Sequence, residues 1–354
     1  MRIVAAEHVG ETRAAVLDGD RAIELHLERW SERGQRALRG EVFRARVTKV
    51  DGSLNGAFCE IGRGPTAFLP FGKAGRPEGL HEGAAIGVQI AREQFQDKGP
   101  TLTLFEVEPG DAPEIVVAAP PLAERLSMMF EAPVRTPKEA DVALDELFDE
   151  ALEAVVPLPG GGKLIIEPVT AMTVIDVDAA GRQSQGGARK MALDLNKTAA
   201  REAARQIRLR GIGGVIAIDF LPLKKKQDQS QLDQTLKGAF KRDPAKVDVA
   251  PSSRFAIVEL ARQRLGRALH EIAWERFGVD SVETCALAAL RRLEAEGQAK
   301  RGGRLALLAG KEVHAWLEND PIGWSKAMKS RLGDRFELVL DEAKGARDFE
   351  VRPL

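Results

Sequence analysis

Two aspartates set the chemical question. Asp176 closes the apolar run Met172-Thr-Val-Ile-Asp176, and Asp219 closes Gly214-Val-Ile-Ala-Ile-Asp219. Both runs have the β-branched and aliphatic make-up of short buried strands. A basic helix separates them, and a strand-helix-strand unit tends to set its two strands side by side. Carboxylates emerging at two adjacent strand ends can share one divalent cation. Magnesium takes one or two carboxylates and fills its octahedron with water, and it stabilises the negative charge that grows on oxygen when a phosphodiester breaks. Either aspartate alone reads as a strand terminus; the pair points to a metal. The surroundings agree, because Arg182 to Arg267 holds 19 Lys and Arg against 8 Asp and Glu, a net of +11 in a chain whose formal total is −1.

The elements that must position the pair follow from local pattern. Ala188 to Arg210 reads as a helix with Leu195, Ala199, Ala203 and Ile207 on its apolar side, and Gly211 stands where a left-handed cap is expected. Arg201, Arg205 and Arg208 recur at helical spacing as one basic face. Such a run is usually a solvated face, but between two acidic strand ends it reads as a phosphate contact. The loop Ala179-Ala-Gly-Arg-Gln-Ser-Gln-Gly-Gly has the freedom to approach a phosphate backbone closely. Lys224-Lys-Lys226 and Lys241-Arg242 either hold flanking backbone or keep their loops soluble.

Length and composition bound the rest. The chain has 354 residues, 44% hydrophobic and 30% charged, enough for two or three domains with real cores. No apolar run approaches the roughly 20 residues that span a bilayer, and Met1-Arg-Ile-Val lacks the apolar segment of a secretory signal, so a cytoplasmic location and no membrane partner are expected. Cys59 and Cys285 belong to no CxxC pair, which argues against a disulfide framework or a thiolate zinc site. The histidines His8, His26, His81, His270 and His314 show no metal-ligand spacing.

In chain order, alternating residues on both sides of Asp18-Gly19 predict a hairpin. Residues 40–103 read as a small barrel of short strands split by Gly and Pro. Its Phe58 and Phe68 are either core or base-stacking aromatics. Arg44, Arg46, Lys49 and Lys98 add phosphate-compatible charge. Between Phe105 and Pro157, Ile115-Val-Val-Ala-Ala reads as a strand and the run Leu144, Leu147, Phe148, Leu152 as a packing helix. The tail carries a compact arrangement of strands and helices without evident chemistry.

Ordered motifs carry a resemblance. Gly40-Glu-Val-Phe-Arg-Ala-Arg-Val-Thr-Lys-Val, Ser53-Leu-Asn-Gly-Ala-Phe58 and Gly64-Pro-Thr-Ala-Phe68-Leu-Pro resemble the RNA-binding OB domain of the bacterial ribonuclease E/G family. Glu11-Thr-Arg and Leu25-His-Leu-Glu-Arg are similar to its amino end. Leu158-Pro-Gly-Gly-Gly-Lys-Leu-Ile-Ile-Glu, Val174-Ile-Asp176-Val-Asp178, the helix from Asn196 to Arg210, Gly213-Gly-Val-Ile-Ala-Ile-Asp219-Phe220 and Ser253-Arg-Phe-Ala-Ile-Val-Glu-Leu-Ala-Arg-Gln-Arg-Leu265 are closer still. Together they cover most of residues 1–106 and 155–267.

The resemblance implies a multidomain α+β and α/β protein. Its segments are an N-terminal β-hairpin segment of the nuclease scaffold (1–36), an OB-fold RNA-binding domain (37–106), a shortened connector (107–157), a mixed-sheet nuclease core with RNase H-like and DNase I-like elements (158–270) and a small C-terminal α/β domain (271–354). It implies magnesium, with manganese as a substitute, held by Asp176 and Asp219, and a metal-positioned water that leaves a 5′-phosphate. Asp178 stands where the family usually has asparagine, adding a third carboxylate that would tighten metal binding or recruit a second cation. Phe58, Phe68, Lys98, Arg201, Arg205 and Arg208, read above from pattern, are the expected contacts to single-stranded RNA; Arg254 matches an arginine that in the family supports 5′-end recognition and, without the insertion, is expected to be an RNA or structural contact. The family's longer insertion with an Arg-Thr 5′-end sensor has no counterpart, since Arg135-Thr136 lies between Val134 and Pro137. Its Cys-Pro-x-Cys zinc link is also missing, so neither zinc nor a zinc-mediated dimer is expected. The implied activity is endoribonucleolytic, in RNA or ribosomal RNA processing. A non-catalytic RNA-binding or ribosome-associated protein is the alternative, and a nuclease for single-stranded DNA a third.

Overall fold

The structure, a computed structural model, describes residues 1–95, 98–182, 186–300 and 302–354. The chain divides into two compact units, residues 29–131 and the combination of residues 1–28 with 132–354. Among the described residues no helix is long and apolar enough to cross a membrane.

The chain opens with strands β1 (Arg2–His8), β2 (Glu11–Asp18) and β3 (Arg21–Arg29), neighbours in one sheet, β1 and β2 antiparallel. Gly19, at φ +63°, supplies the left-handed turn between β2 and β3. The barrel follows: β4 (Val42–Asp51), β5 (Gly56–Glu60), β6 (Ala67–Pro70), β7 (Ala85–Arg92) and β8 (Thr101–Leu104) close in the order β5-β6-β8-β7-β4, with β4 returning to β5. Phe43, Val47, Leu69, Ile90 and Leu102 fill its interior. Phe58 and Phe68 stand outside that interior as half-buried register partners on β5 and β6, ring centroids 5.4 Å apart. Neither ring belongs to the barrel interior, and neither is fully exposed. β9 (Glu114–Val117) pairs with β4, and α1 (Leu122–Phe130) ends the unit.

Beyond it, β10 (Val134–Arg135) lies parallel to β1, Thr136 caps α2 (Pro137–Ala140) in a capping box with Glu139, and α3 (Leu144–Leu152) sends Leu144 and Phe148 against Val4, Leu17 and Leu25. Thr136 is therefore occupied in holding a helix start.

The central sheet has six strands. β11 (Val155–Pro157), β12 (Lys163–Pro168) and β13 (Thr173–Asp178) lead into α4 (Ala188–Leu209), then β14 (Gly214–Asp219), α5 (Lys226–Ala239), β15 (Val247–Val249) and β16 (Ile257–Arg262), in the order β11-β12-β13-β14-β16-β15. β13 and β14 are its parallel pair, as expected for strands joined by a crossover helix. Alternation decides the faces: Leu164, Ile166, Ile175, Val177, Ile216, Ile218, Val258 and Leu260 are buried in one cluster with Leu195, Ala199, Ala203 and Ile207 of α4 and Leu232 and Leu236 of α5. Burying each large aliphatic side chain stabilises the fold by roughly 1.5–3 kcal/mol. The small alanines let α4 lie close to the sheet, and Gly211, at φ +68°, ends it.

The tail contains α6 (Leu269–Ala273), the hairpin β17 (Trp274–Arg276) and β18 (Val279–Asp280), α7 (Val282–Ala299), and a three-stranded sheet of β19 (Leu305–Ala309), β20 (Phe336–Leu340) and β21 (Phe349–Pro353) with α8 (Lys311–Glu318) and α9 (Trp324–Leu332). The architecture is thus mixed α and β, with one closed five-stranded barrel and several mixed sheets.

Candidate active site

The parallel pairing of β13 and β14 runs Thr173 to Ile216, Val174 to Ala217, Ile175 to Ile218 and Asp176 to Asp219. The two aspartates are therefore direct neighbours, about 4.8 Å apart across the strands. Because Ile175 and Ile218 go under the helices, Asp176 and Asp219 project from the opposite, open face, where both are exposed. Partial burial, then the negative charges of Asp219 and Asp178, push the Asp176 carboxyl above its ordinary range. Such a pair favours whatever positive charge can lie between its members.

Asp178 is placed differently. Its Oδ1 accepts the Ala180 N–H at 2.8 Å and its Oδ2 lies 3.3 Å from Lys163 Nζ, and these two partners hold it below the usual carboxylate range. Lys163 is its register partner on β12. Both of its oxygens are thus engaged, whereas Asp176 and Asp219 carry no ion pair among the described residues. Among those residues no three His, Cys, Asp or Glu side chains form a ready-made metal cage. What the site offers is two carboxylates with room for water, a donor set that suits magnesium.

The supports are specific. Asn196, fully buried on α4, donates its Nδ2–H to the Leu221 carbonyl at 2.8 Å and accepts the Leu221 N–H on Oδ1 at 3.0 Å, fixing the chain two residues beyond Asp219. Gly162 passes so close to Asp178 that a Cβ there would sit 2.9 Å from the Asp178 carbonyl oxygen. Arg182 Nη1 donates to the Gly161 carbonyl at 3.1 Å, tying the loop after β13 to the β11–β12 turn. Gln183, Ser184 and Gln185 of the expected glycine-rich loop lie outside the described residues.

The arginines of α4 do not form one free cationic face. Arg205 donates to Glu202 and to the Ala22 carbonyl at 2.9 Å, and Arg208 donates to Glu24 at 2.8 Å and to the Arg242 carbonyl at 2.8 Å. Both hold the N-terminal strands against α4, while Arg201 is exposed. The expectation of one basic face is thereby narrowed: Glu202 and the Ala22 carbonyl take up Arg205, and Glu24 and the Arg242 carbonyl take up Arg208. Lys98 is exposed beside a short bridge to Phe95 in the barrel unit.

Arg254 is exposed and stacks over Phe255, 4.6 Å from the ring centroid. Phe255 is 65% exposed and precedes by two residues Ile257, the register partner of Asp219. The signal available in the sequence is an aromatic beside arginine just before β16.

Comparison with known proteins finds a similarity over the segment that holds this site. The sequence model described as "Ribonuclease E/G family" matches residues 114–265. Ribonuclease E of Escherichia coli K12 is 22% identical over 485 aligned residues, covering 99% of this chain and 45% of that protein. Ribonuclease E of Buchnera aphidicola from Acyrthosiphon pisum is 21% identical over 97% of this chain and 52% of its own length. Ribonuclease E of Nostoc sp. PCC 7120 is 42% identical over 123 residues, 35% of this chain and 18% of that protein. The chain thus spans about half the length of the relatives it matches from end to end, and an alignment longer than its own 354 residues means that those relatives carry internal segments it lacks. Residues 114–265, which hold both strand-end aspartates, are thus the part of the chain that is similar to the ribonuclease E/G family.

Proposed function

We propose that this protein is a magnesium-dependent endoribonuclease that cuts single-stranded RNA. The observation that carries the reading is the direct parallel register of Asp176 with Asp219 on the open face of the sheet. The relatives' name, ribonuclease E, supplies the substrate class.

Asp176 and Asp219 would hold the cation, magnesium or in its place manganese. When bound, it supplies an activated water and neutralises charge developing on the phosphoryl oxygens. Asn196 keeps the end of β14 in place, so the separation of the two carboxylates is fixed before substrate arrives. Lys163 and the Ala180 N–H hold Asp178 beside the pair as a source of negative potential. Arg201 and Arg254 would contact the RNA backbone. The five-stranded barrel would serve as an OB-type RNA-binding module, with Phe58, Phe68 and Lys98 on its surface. Bases must be unpaired to stack on such aromatics, which disfavours duplex RNA. A role in RNA processing, ribosomal precursors included, in the cytoplasm fits this chemistry, with weak or absent 5′-end sensing and no zinc-linked dimer.

The test is incubation of an unstructured oligoribonucleotide and its deoxy counterpart with wild type, Asp176→Asn and Asp219→Asn, with and without magnesium. Cleavage of RNA by wild type alone, and only with the metal, is expected. Binding without turnover would instead establish a non-catalytic RNA-binding protein.

A further inference from the structure

We propose that Phe255, backed by Arg254, is a stacking platform that seats the unpaired base next to the scissile linkage; this rests on the ribonuclease reading above and assigns a substrate subsite within it. Phe255 is a large apolar side chain left 65% exposed, and one side of its ring is already covered by the Arg254 guanidinium at 4.6 Å. A cation on an aromatic ring leaves the rest of the ring open to a second flat partner and adds attraction for an adjacent phosphate. A nucleotide of single-stranded RNA provides both a flat base and an anionic linkage.

The location makes the pair part of the site. Ile257 lies directly across from Asp219, and the Phe220 N–H donates to the Ala256 carbonyl at 3.3 Å. Phe255 is therefore two residues along the chain from the residue opposite a catalytic carboxylate. The turn that presents it is also fixed. Ala256 takes a left-handed φ of +69°, uncommon for a residue with a Cβ, and the Ser253 hydroxyl accepts the N–H groups of both Phe255 and Ile257 at 3.3 Å. An aromatic on such a turn is already in its binding position. The cleft beside it, bordered by Leu221, Leu223 and Ala256, holds only about 50 Å³. A space of that size admits at most a few waters and no nucleobase, so a base rests on the exposed ring and does not enter the cleft.

The experiment measures binding of an unstructured fluorescent oligoribonucleotide in magnesium-free buffer, using the full-length chain as wild type, Phe255→Ala and Phe255→Trp. Phe255→Ala is expected to weaken binding by roughly tenfold with an unchanged unfolding midpoint. Phe255→Trp is expected to restore binding, with indole emission quenched by RNA. A series of the same oligonucleotide with single abasic positions then tests placement. One abasic position, adjacent to the bond cut when magnesium is added, must lose its penalty in Phe255→Ala. Wild-type affinity in Phe255→Ala, or penalties that add at every abasic position, overturns the platform. If Phe255→Ala weakens binding but no form of the protein cleaves, the nuclease reading fails while the platform is retained as an RNA contact.

Discussion

Lys163 and Asp178 face each other across antiparallel strands with Nζ 3.3 Å from Oδ2, at the edge of the Asp176–Asp219 pair. This pairing bears on what a third carboxylate can do, because a neutralised Asp178 contributes less to cation capture than a free one. Replacing Lys163 by Met is expected to lower the magnesium concentration for half-maximal cleavage by about three- to tenfold, as one positive charge leaves the site. Asp178→Asn is expected to raise it by a similar factor, and Lys163→Met with Asp178→Asn together to return near wild type. Magnesium titrations of the four proteins check this; a curve unchanged by Asp178→Asn removes Asp178 from metal binding.

The apo protein should show a stability conflict at Asp176. Its folded-state carboxyl titrates above the ordinary value of 3.8, so the folded state binds more protons than the unfolded one as pH climbs from that value. Stability is therefore lost as pH rises through the window. Asp176→Asn should raise the melting temperature at pH 7.5 by about 1–3 °C, with the difference shrinking as pH falls toward 3.8. Added magnesium should raise the melting temperature of wild type and not of the variant. Thermal scans across pH, with and without metal, measure both.

The arginines of α4 should separate into two behaviours. Arg208→Ala leaves the buried Glu24 without its guanidinium and is expected to cost about 1.5–3 kcal/mol, with little change in the salt dependence of RNA binding. Arg201→Ala should leave stability alone and reduce the slope of log affinity against log salt by about 0.7. Urea unfolding and salt titrations of binding distinguish them.

Asn196→Ala should reduce the rate more than the affinity. It strands the N–H and C=O of Leu221, costing about 1–3 kcal/mol, and loosens the end of β14 behind Asp219. A kcat that falls by about tenfold or more with KM within about twofold of wild type is the expected split.

Asp243→Ala should be more damaging to the fold. Arg262 and Asp243 are both buried and bonded through two contacts of 2.9 Å, and Arg262 also donates to the Ile212 carbonyl. An uncompensated guanidinium at that depth is expected to cost about 3–5 kcal/mol, read from the urea midpoint.

The aspartate pair is legible in the sequence because strand alternation and the intervening helix are local patterns that act through the backbone. The end of α4 at Gly211 and the hairpin at Asp18-Gly19 are legible for the same reason. The fate of Arg205 and Arg208 is not, since Glu24 and Ala22 lie more than 180 residues earlier in the chain. Nor does local pattern tell that Phe148 covers the N-terminal strands, joining residues 1–28 to residues 132–354. Phe58, Phe68 and Phe255 share a further difficulty: a phenylalanine that is buried and one that waits for a partner look alike until the surrounding surface is known.

Because backbone hydrogen bonds between β13 and β14 set the distance from Asp176 to Asp219, the loops on either side of α4 can vary in length as long as Asn196 still reaches Leu221. A deletion of a single residue inside either strand has the opposite effect, turning one acid inward among the aliphatic side chains beneath α4. The register of these two strands is the gauge that spaces the carboxylates, and a slip of one residue would destroy it.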